Sequence, residues 1–598
     1  MKKEKLDPII LAVIKARLDG IINEMSQVLL RTSRNPILYG AKDFTNGILS
    51  RDAKLITMTN SIPVHIYGLR NSLKAVVECF TDDVHQGDCF VNNSPYHGNN
   101  HVGDWSMFAP IFYDGELICW AASLCHLIDT GAYIATNLDP LAKDIYEEGI
   151  HFPPMRLIQG YNEIPDLIRF IKANFRYPEQ WHGDFLAQVS SLWICEQEVL
   201  RLCKKYGGKT INQVQKELLD FGDRRMTEEI KKLPKGTWSI ESQFEKVKPM
   251  APDGLTLKVK VSINPDKAKI IFDLTEMPPQ LPWGFNCSQS TAEGACISGS
   301  MPSFPPSLPR NDGVYKHFDI ILKEGTVCGI PTWPIGTSMA TVGLCSDVTG
   351  MIFRLWEQIL PGKGHASGGE INGSQSICSG IDFRNNNEPF GHCFFVAMSG
   401  GPGSMGCDGW PCWLHNGAMG NQTLDSVELT ELSTPAIIWE AGIAKDSAGA
   451  GKWRGAPGLY HRIQPTHNTL NLVSPATGHT SPPRGLAGGM DGCLADHFTE
   501  MHATKKKMQQ FYNVGNYEVE EDEDWVAYCN GGGGYGNALE RNPEAVRDDA
   551  RNGIISIQAA KDKYGVVLNT SPELYEVDYD ATKKLRSQLS KEKLVKKN

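Results

Sequence analysis

Two stretches carry side chains whose chemistry outweighs their packing value: Asn93-Ser94-Pro95-Tyr96-His97-Gly98-Asn99-Asn100-His101-Val102-Gly103-Asp104 and Leu124-Cys125-His126-Leu127-Ile128-Asp129-Thr130-Gly131. Together they place three imidazoles and two carboxylates among turn-forming residues. Histidine with aspartate is the donor set of a divalent metal site. His101 and Asp104 are three apart, so on a helix or tight turn they share a face. His126, brought in from a neighbouring strand, completes a face of two imidazoles and one carboxylate that leaves coordination positions open. Such a site polarises a carbonyl or holds an oxyanion, whereas a closed structural zinc site uses four ligands, mostly cysteine. His97, Asp129 and Glu148 are candidates to orient ligands or carry protons. The same residues also suit a hydrogen-bonded turn or core, since the H-x-x-D spacing is common.

The elements that must position these groups follow from periodicity. Residues 7–32 read as a helix: Asp7 is a good N-cap and Pro8 suits the first helical position. Ile10, Ile14, Leu18, Ile21, Met25 and Leu29 then form one apolar stripe. Over 40–125, short apolar runs at 47–49, 55–58 and 118–122 alternate with turn residues, as in a mixed α/β domain with several strands. Residues 185–206 return to helix and stop at Gly207-Gly208, and a second helix runs from Thr210 to about Leu233. Residues 237–273 alternate in polarity around the turn Asn264-Pro265-Asp266. Beyond about 280 glycine is dense, at 400–409, 446–458, 485–492 and 531–536, which implies tight turns or close backbone approach. Asn542-Pro543-Glu544 caps a short helix ending near Gly553.

The expected fold is therefore α+β (mixed α/β) and multi-domain, with a glycine-rich, strand-rich C-terminal half. The expected division is an N-terminal α/β domain over 1–235 holding the candidate metal site, a strand-rich unit over 236–280, a glycine-rich α/β domain over 281–580, and a frayed, charged tail over 581–598.

Composition narrows the function. The chain has 598 residues, 41% hydrophobic and 21% charged, which suits a globular protein of several domains. A net charge of -10 argues against nucleic acid as a partner, because phosphates demand a basic face. No apolar run reaches bilayer-spanning length, and Met1-Lys2-Lys3-Glu4-Lys5 leads into an amphipathic segment, not a signal-peptide core. No membrane partner and a cytoplasmic location are expected. The 16 cysteines form no C-x-x-C pair, which fits reduced thiols.

Two glycine patterns imitate nucleotide sites. Gly401-Pro402-Gly403-Ser404-Met405-Gly406 matches G-x-G-x-x-G, but Cys407-Asp408-Gly409-Trp410-Pro411 does not open the helix that a pyrophosphate needs. Gly531-Gly532-Gly533-Gly534 lacks the lysine and hydroxyl of a phosphate loop. No G-x-S-x-G nucleophile elbow occurs.

A further set of pieces is colinear from end to end: Asp7-Pro8, Arg31-Thr32-Ser33, Asp43-Phe44, Ile62-Pro63-Val64-His65, Pro95-Tyr96-His97-Gly98, His101, Asp104, His126 with Asp129 and Gly131, Glu148-Gly149 and Pro153-Pro154. Later come Asp446-Ser447-Ala448-Gly449-Ala450-Gly451-Lys452-Trp453-Arg454-Gly455, the run 531–536, and Tyr564-Gly565-Val566-Val567. In these the chain resembles the hydantoinase B / oxoprolinase family, which includes subunits of N-methylhydantoinase and of acetone and acetophenone carboxylases. The resemblance implies an ATP-dependent assembly. A hydantoinase A-like partner would bind ATP and magnesium, in keeping with the missing phosphate loop, and small accessory subunits would join it. It also implies a divalent metal, manganese or zinc, on His101, Asp104 and His126; by residue chemistry, His97 or Asp129 is the candidate base.

Departures from the family pattern fall beside that site. Asn-Asp-Pro-Tyr reads Asn93-Ser94-Pro95-Tyr96, and Gly-Gly-Thr-His reads Gly98-Asn99-Asn100-His101. Trp410 and Trp413 follow an altered glycine-rich run and could line an aromatic pocket. The leading expectation is a ketone carboxylase subunit joining an enolate of acetophenone or acetone to activated bicarbonate. The alternatives are a subunit of an ATP-dependent cyclic-amide hydrolase acting on a hydantoin or oxoproline, and a non-catalytic scaffold.

Overall fold

The computed structural model describes all residues except 1–5, 60–61, 135–137, 372, 512–513, 572–573 and 598, so the charged N-terminus read above lies outside the described residues. The fold is mixed α/β and forms two compact units. One comprises Met1–Ser242, Thr256–Val348 and Pro389–His392; the other comprises Gln243–Leu255, Thr349–Glu388 and Cys393–Asn598.

The first unit is built on a seven-stranded antiparallel sheet. Its strands are β1 (Phe44–Ser50), β2 (Leu55–Met58), β3 (Cys89–Asn92), β4 (Asp104–Tyr113), β5 (Glu116–His126), β6 (Met155–Gln159) and β7 (Asn162–Glu163), in the order β2-β1-β5-β4-β3-β6-β7. The apolar runs at 47–49, 55–58 and 118–122 all lie within these strands. Helix α1 (Pro8–Thr32) has the expected Asp7 cap, whose side chain accepts from the Ile9 amide, and buries Ile14, Leu18, Ile21, Met25 and Leu29. Helices α2 (Pro36–Tyr39), α3 (His65–Phe80), α4 (Pro165–Asn174), α5 (Pro178–Tyr206) and α6 (Gly208–Ile230) complete the layers. α5 packs on β4, β5 and α1, and α3 packs on β1, β4 and β5. Because helices meet the central strands, β4 is buried over its first eight residues and β5 over its last nine. Such strands read as near-continuous apolar runs and not as an alternation.

α5 begins at Pro178, seven residues before the expected start at 185. Proline suits the first turn, and Trp181 and Phe185 are both buried, so the tertiary core extends the helix toward its N-terminus. The residues 236–280 do not stand alone. Strands β8 (Gly236–Phe244), β9 (Leu255–Asn264) and β10 (Lys269–Asp273) form a sheet whose fourth strand, β11 (Phe318–Ile321), pairs in parallel with β10. This pairing ties the chain beyond 280 back to the strands before it, and the first unit continues to Val348.

In the second unit, strands Ala436–Ile443, Leu459–Pro465, Glu523–Tyr528, Asp496–Met501 and Lys507–Gln510 form one antiparallel sheet in that order. Glycine supports close backbone layering here. A Cβ on Gly532 would stand 1.9 Å from the Gly401 carbonyl oxygen, and one on Gly455 would stand 1.9 Å from that of Gly532. The segments are tied by Gly532 N–H to the Ala456 carbonyl and Ala456 N–H to that of Gly401, both 2.9 Å. Both glycine patterns are thus packing devices. Asn542 caps a helix over Pro543–Arg551. The segment expected to fray is instead helix Tyr579–Lys597, which packs on the hairpin of Val567–Ser571 with Leu574–Asp578. Among the described residues no helix is long and apolar enough to cross a membrane.

Leu18 is 2% exposed in the α1 face of the core. Leu18→Ala is expected to lower unfolding free energy by about 2–5 kcal/mol in urea denaturation. A loss below about 1 kcal/mol would contradict this packing of α1.

Candidate metal centre

Strand register assembles the site. β4 and β5 pair so that Asp104 stands directly opposite His126, and β1 runs antiparallel to β5 with Phe44 opposite Cys125. Directly opposed residues in an antiparallel pair hold their Cβ atoms about 4.5–5.5 Å apart. One edge of the sheet therefore collects the start of β4, the end of β5 and the residue before β1, Asp43. His101 arrives by a tight turn, in which the Asp104 amide donates to the His101 carbonyl at 3.1 Å. The i, i+3 spacing thus works through a turn. Gly98 closes the preceding loop at φ +90°, where a Cβ would stand 2.6 Å from the backbone carbon of Asn71.

The three expected ligands converge. His101 Nε2 lies 3.2 Å from His126 Nδ1 and 3.1 Å from Asp104 Oδ1, and His126 Nδ1 lies 3.0 Å from Asp104 Oδ1. All three residues are buried. Cis ligands about 2.1 Å from an ion in octahedral geometry stand about 3.0 Å apart, so this triangle has the dimensions of one coordination face. The donor set fits a divalent ion for a second reason. Three electron-rich atoms face one another without enough hydrogens to satisfy each contact, and a cation relieves that crowding.

Surrounding groups fix each donor. The Ser338 carbonyl lies 2.8 Å from His101 Nδ1, which assigns the hydrogen to Nδ1 and leaves Nε2 free to ligate. The Asn100 amide donates to Asp104 Oδ2 at 2.8 Å, and the Asn99 amide to the Asp104 carbonyl at 2.5 Å. The two asparagines that depart from the family pattern therefore hold the aspartate ligand. Glu148 is buried and accepts from the amides of Thr337 and Ser338, the latter at 2.6 Å, which steadies the loop that meets His101. Burial pushes the Glu148 carboxyl well above its ordinary range, against those two donors. Burial alone would raise Asp104 too, but the imidazoles of His101 and His65 and the hydrogen bonds to His101 and His126 hold it well below the carboxylate range.

Two neighbours were not assigned from the sequence. His65 Nε2, in the first turn of α3, lies 3.4 Å from Asp43 Oδ1 and 3.7 Å from Asp104 Oδ2. Asp43 Oδ2 lies 3.9 Å from His126 Nδ1. Both residues stand in the colinear pieces noted above, but they lie well before the ligand loops in the chain. Burial holds His65 below the ordinary imidazole range, against the pull of Asp104 and Asp43.

The two expected proton carriers bond to other partners. Asp129 Oδ1 accepts from the Gly131 amide at 3.1 Å and Arg176 Nη1 at 3.2 Å, and Oδ2 from the Arg176 amide at 2.5 Å. His97 is exposed on the loop before His101, with Nδ1 2.7 Å from Ser94 Oγ. Trp410 and Trp413 lie in the second unit, where Trp413 is buried and Trp410 is 63% exposed.

The hydantoinase B/oxoprolinase family model matches residues 7–538. The chain is 29% identical to the beta subunit of the caprolactamase of Pseudomonas jessenii, over 96% of this chain and 98% of that protein. The crystal structure of the ATP-dependent caprolactamase from that organism superposes with a TM-score of 0.88 at 28% identity, covering 98% of this chain and 100% of that one. Identity is 27% to a subunit of a putative D-/L-hydantoinase of Pseudomonas sp. (strain NS671), covering 98% of each. It is 23% to the acetophenone carboxylase delta subunit of Aromatoleum aromaticum, over 98% of this chain and 89% of that protein.

His101→Ala and His126→Ala are each expected to lower tightly bound divalent metal from about one ion per chain to near zero by elemental analysis after dialysis, while Glu148→Ala weakens affinity about 10–100-fold. Lowering the pH should release metal, because protons compete for the donor atoms. Stability should also fall on acidification. The unfolded chain protonates His65 near its ordinary value while the folded chain resists until lower pH, so its contribution is present above about 6.5 and lost below.

Proposed function

The chain belongs to the hydantoinase B/oxoprolinase family, and from that membership we propose that it is the metal-bearing subunit of an ATP-dependent amidohydrolase that opens a cyclic amide. The observation that carries the reading is the buried triangle of His101, Asp104 and His126. The choice of a cyclic amide is supported by the relatives named for a lactam and a hydantoin, which are 29% and 27% identical over nearly the whole chain. Nucleotide and magnesium fall to a hydantoinase A-like partner, since neither glycine pattern here has the form of a phosphate site.

A manganese or zinc ion on the three ligands would polarise a ring carbonyl toward attack. The chain's own residues do the rest. His101 is oriented through the Ser338 carbonyl. Asn100 and Asn99 hold Asp104 in a single pose. His97, exposed beside the site loop, exchanges protons with the leaving nitrogen. Asp129 anchors the loop after β5 to Arg176.

Ketone carboxylation is the second reading, supported by the acetophenone carboxylase relative. In that case the same triangle holds an enolate oxygen, and the product is a β-keto acid from the ketone and bicarbonate.

The assembled complex, given ATP, is expected to consume a lactam, hydantoin or 5-oxoproline and to leave labelled bicarbonate unfixed with acetophenone or acetone. Label in a β-keto acid would replace the amidohydrolase reading by the carboxylase. His101→Ala should abolish turnover while the assembly persists. Undiminished turnover would mark the chain as a scaffold.

A further inference from the structure

A second polar cluster lies in the first unit, apart from the metal triangle. Ser94 Oγ lies 2.7 Å from His97 Nδ1 and 2.5 Å from His151 Nε2, so one hydroxyl joins two imidazoles whose ring centres are 6.3 Å apart. The hydroxyl is fully buried, and its backbone is pinned. The Ser94 amide donates to Asn92 Oδ1 at 2.9 Å, and the Ser94 carbonyl accepts from the amides of His97 at 3.0 Å and Asn99 at 2.9 Å. Asn92 also donates to the His97 carbonyl at 2.9 Å. The His151 ring is walled by Tyr96 and Trp333, at 6.4 and 5.8 Å between ring centres. Tyr96 is itself tied to the Ile335 carbonyl at 2.5 Å.

We infer that Ser94 links His97 and His151 into a proton relay, which passes the proton that His97 exchanges with substrate through to His151. The inference rests on His97 as the proton carrier of the proposed function. A hydroxyl between two ring nitrogens donates one hydrogen and accepts one, so the chain of bonds has a direction that can reverse. A proton arriving at His97 Nε2 releases the hydrogen on Nδ1 to Ser94 Oγ. The Ser94 hydrogen moves in the same event to His151 Nε2. His97 ends neutral, Ser94 ends a hydroxyl and His151 ends as the imidazolium, so one proton enters and one is carried. Partial desolvation lowers the basicity of both rings, His97 through the inward side of its otherwise exposed ring, and His151, to about 4, also feels His97. The His151 imidazolium, on a half-buried ring, then passes its proton to solvent water. Among the described residues, the titratable groups whose rings face the pair are each other and Tyr96.

The test uses the assembled enzyme on whichever ATP-dependent reaction it catalyses. Ser94→Ala is expected to lower kcat about 100-fold, with KM and metal content unchanged. Ser94→Thr, which keeps the hydroxyl, should restore most of the rate. The rate against deuterium fraction should curve in the natural enzyme, where several protons move together, and become linear in Ser94→Ala. An unchanged kcat, or a straight line in the natural enzyme, would overturn the relay. Independently of any substrate, NMR of labelled histidines in the chain should show His97 and His151 titrating as a linked pair, unlinked by Ser94→Ala. Independent titration in the natural protein would overturn the relay even if the amidohydrolase reading stood. Linked titration without amide turnover would leave the relay and remove that reading.

Discussion

The pairing of β4 with β5 is the constraint on which the site depends. Because Asp104 opposes His126, a slip of one residue would turn one of them to the other face of the sheet and dissolve the triangle. Register is therefore specified by burial. Trp105, Phe108, Leu124 and Cys125 all fill the core. The strand that carries Asp104 begins at that residue, so the same strand serves both core and site.

Placing a carboxylate and several imidazoles in a buried layer is costly unless each polar atom has a partner. The chain meets much of that demand from far along its length, while Glu148 Oε2 and Asn100 Oδ1 stay without a hydrogen-bond partner. Ser338 reaches His101 across 237 positions, and Glu148 reaches Thr337 and Ser338 across about 190. Asn99 and Asn100 supply amides at short range. The same economy of supports explains why Asp129 pairs with Arg176 and not with the ligands. Its two oxygens close the loop that follows β5.

The second unit shows how a motif can mislead and still be informative. G-x-G-x-x-G and the four-glycine run suggest phosphate loops by pattern, yet Gly401, Gly455 and Gly532 serve backbones that approach too closely for any side chain. The sequence did indicate close approach through glycine density. It could not say whether the approaching group was a ligand or another strand.

Helices with one apolar stripe were legible because their period is local: Asp7-Pro8 and the stripe from Ile14 to Leu29 mark α1 to within a residue. The donor types of the candidate metal centre, His101, Asp104 and His126, could also be picked out by residue chemistry, although the sequence left a hydrogen-bonded turn or core equally open. Local rules did not reach the rest. The start of α5 was set by the burial of Trp181 and Phe185. The boundary expected near 280 was erased by the parallel pairing of β10 with β11. Asp43 and His65 joined the site only through strand register and the docking of α3. Residue chemistry and short-range period are written in the sequence itself. Which distant groups share a face is decided by the sheet, because that choice minimises the free energy of the whole core and not of any one segment.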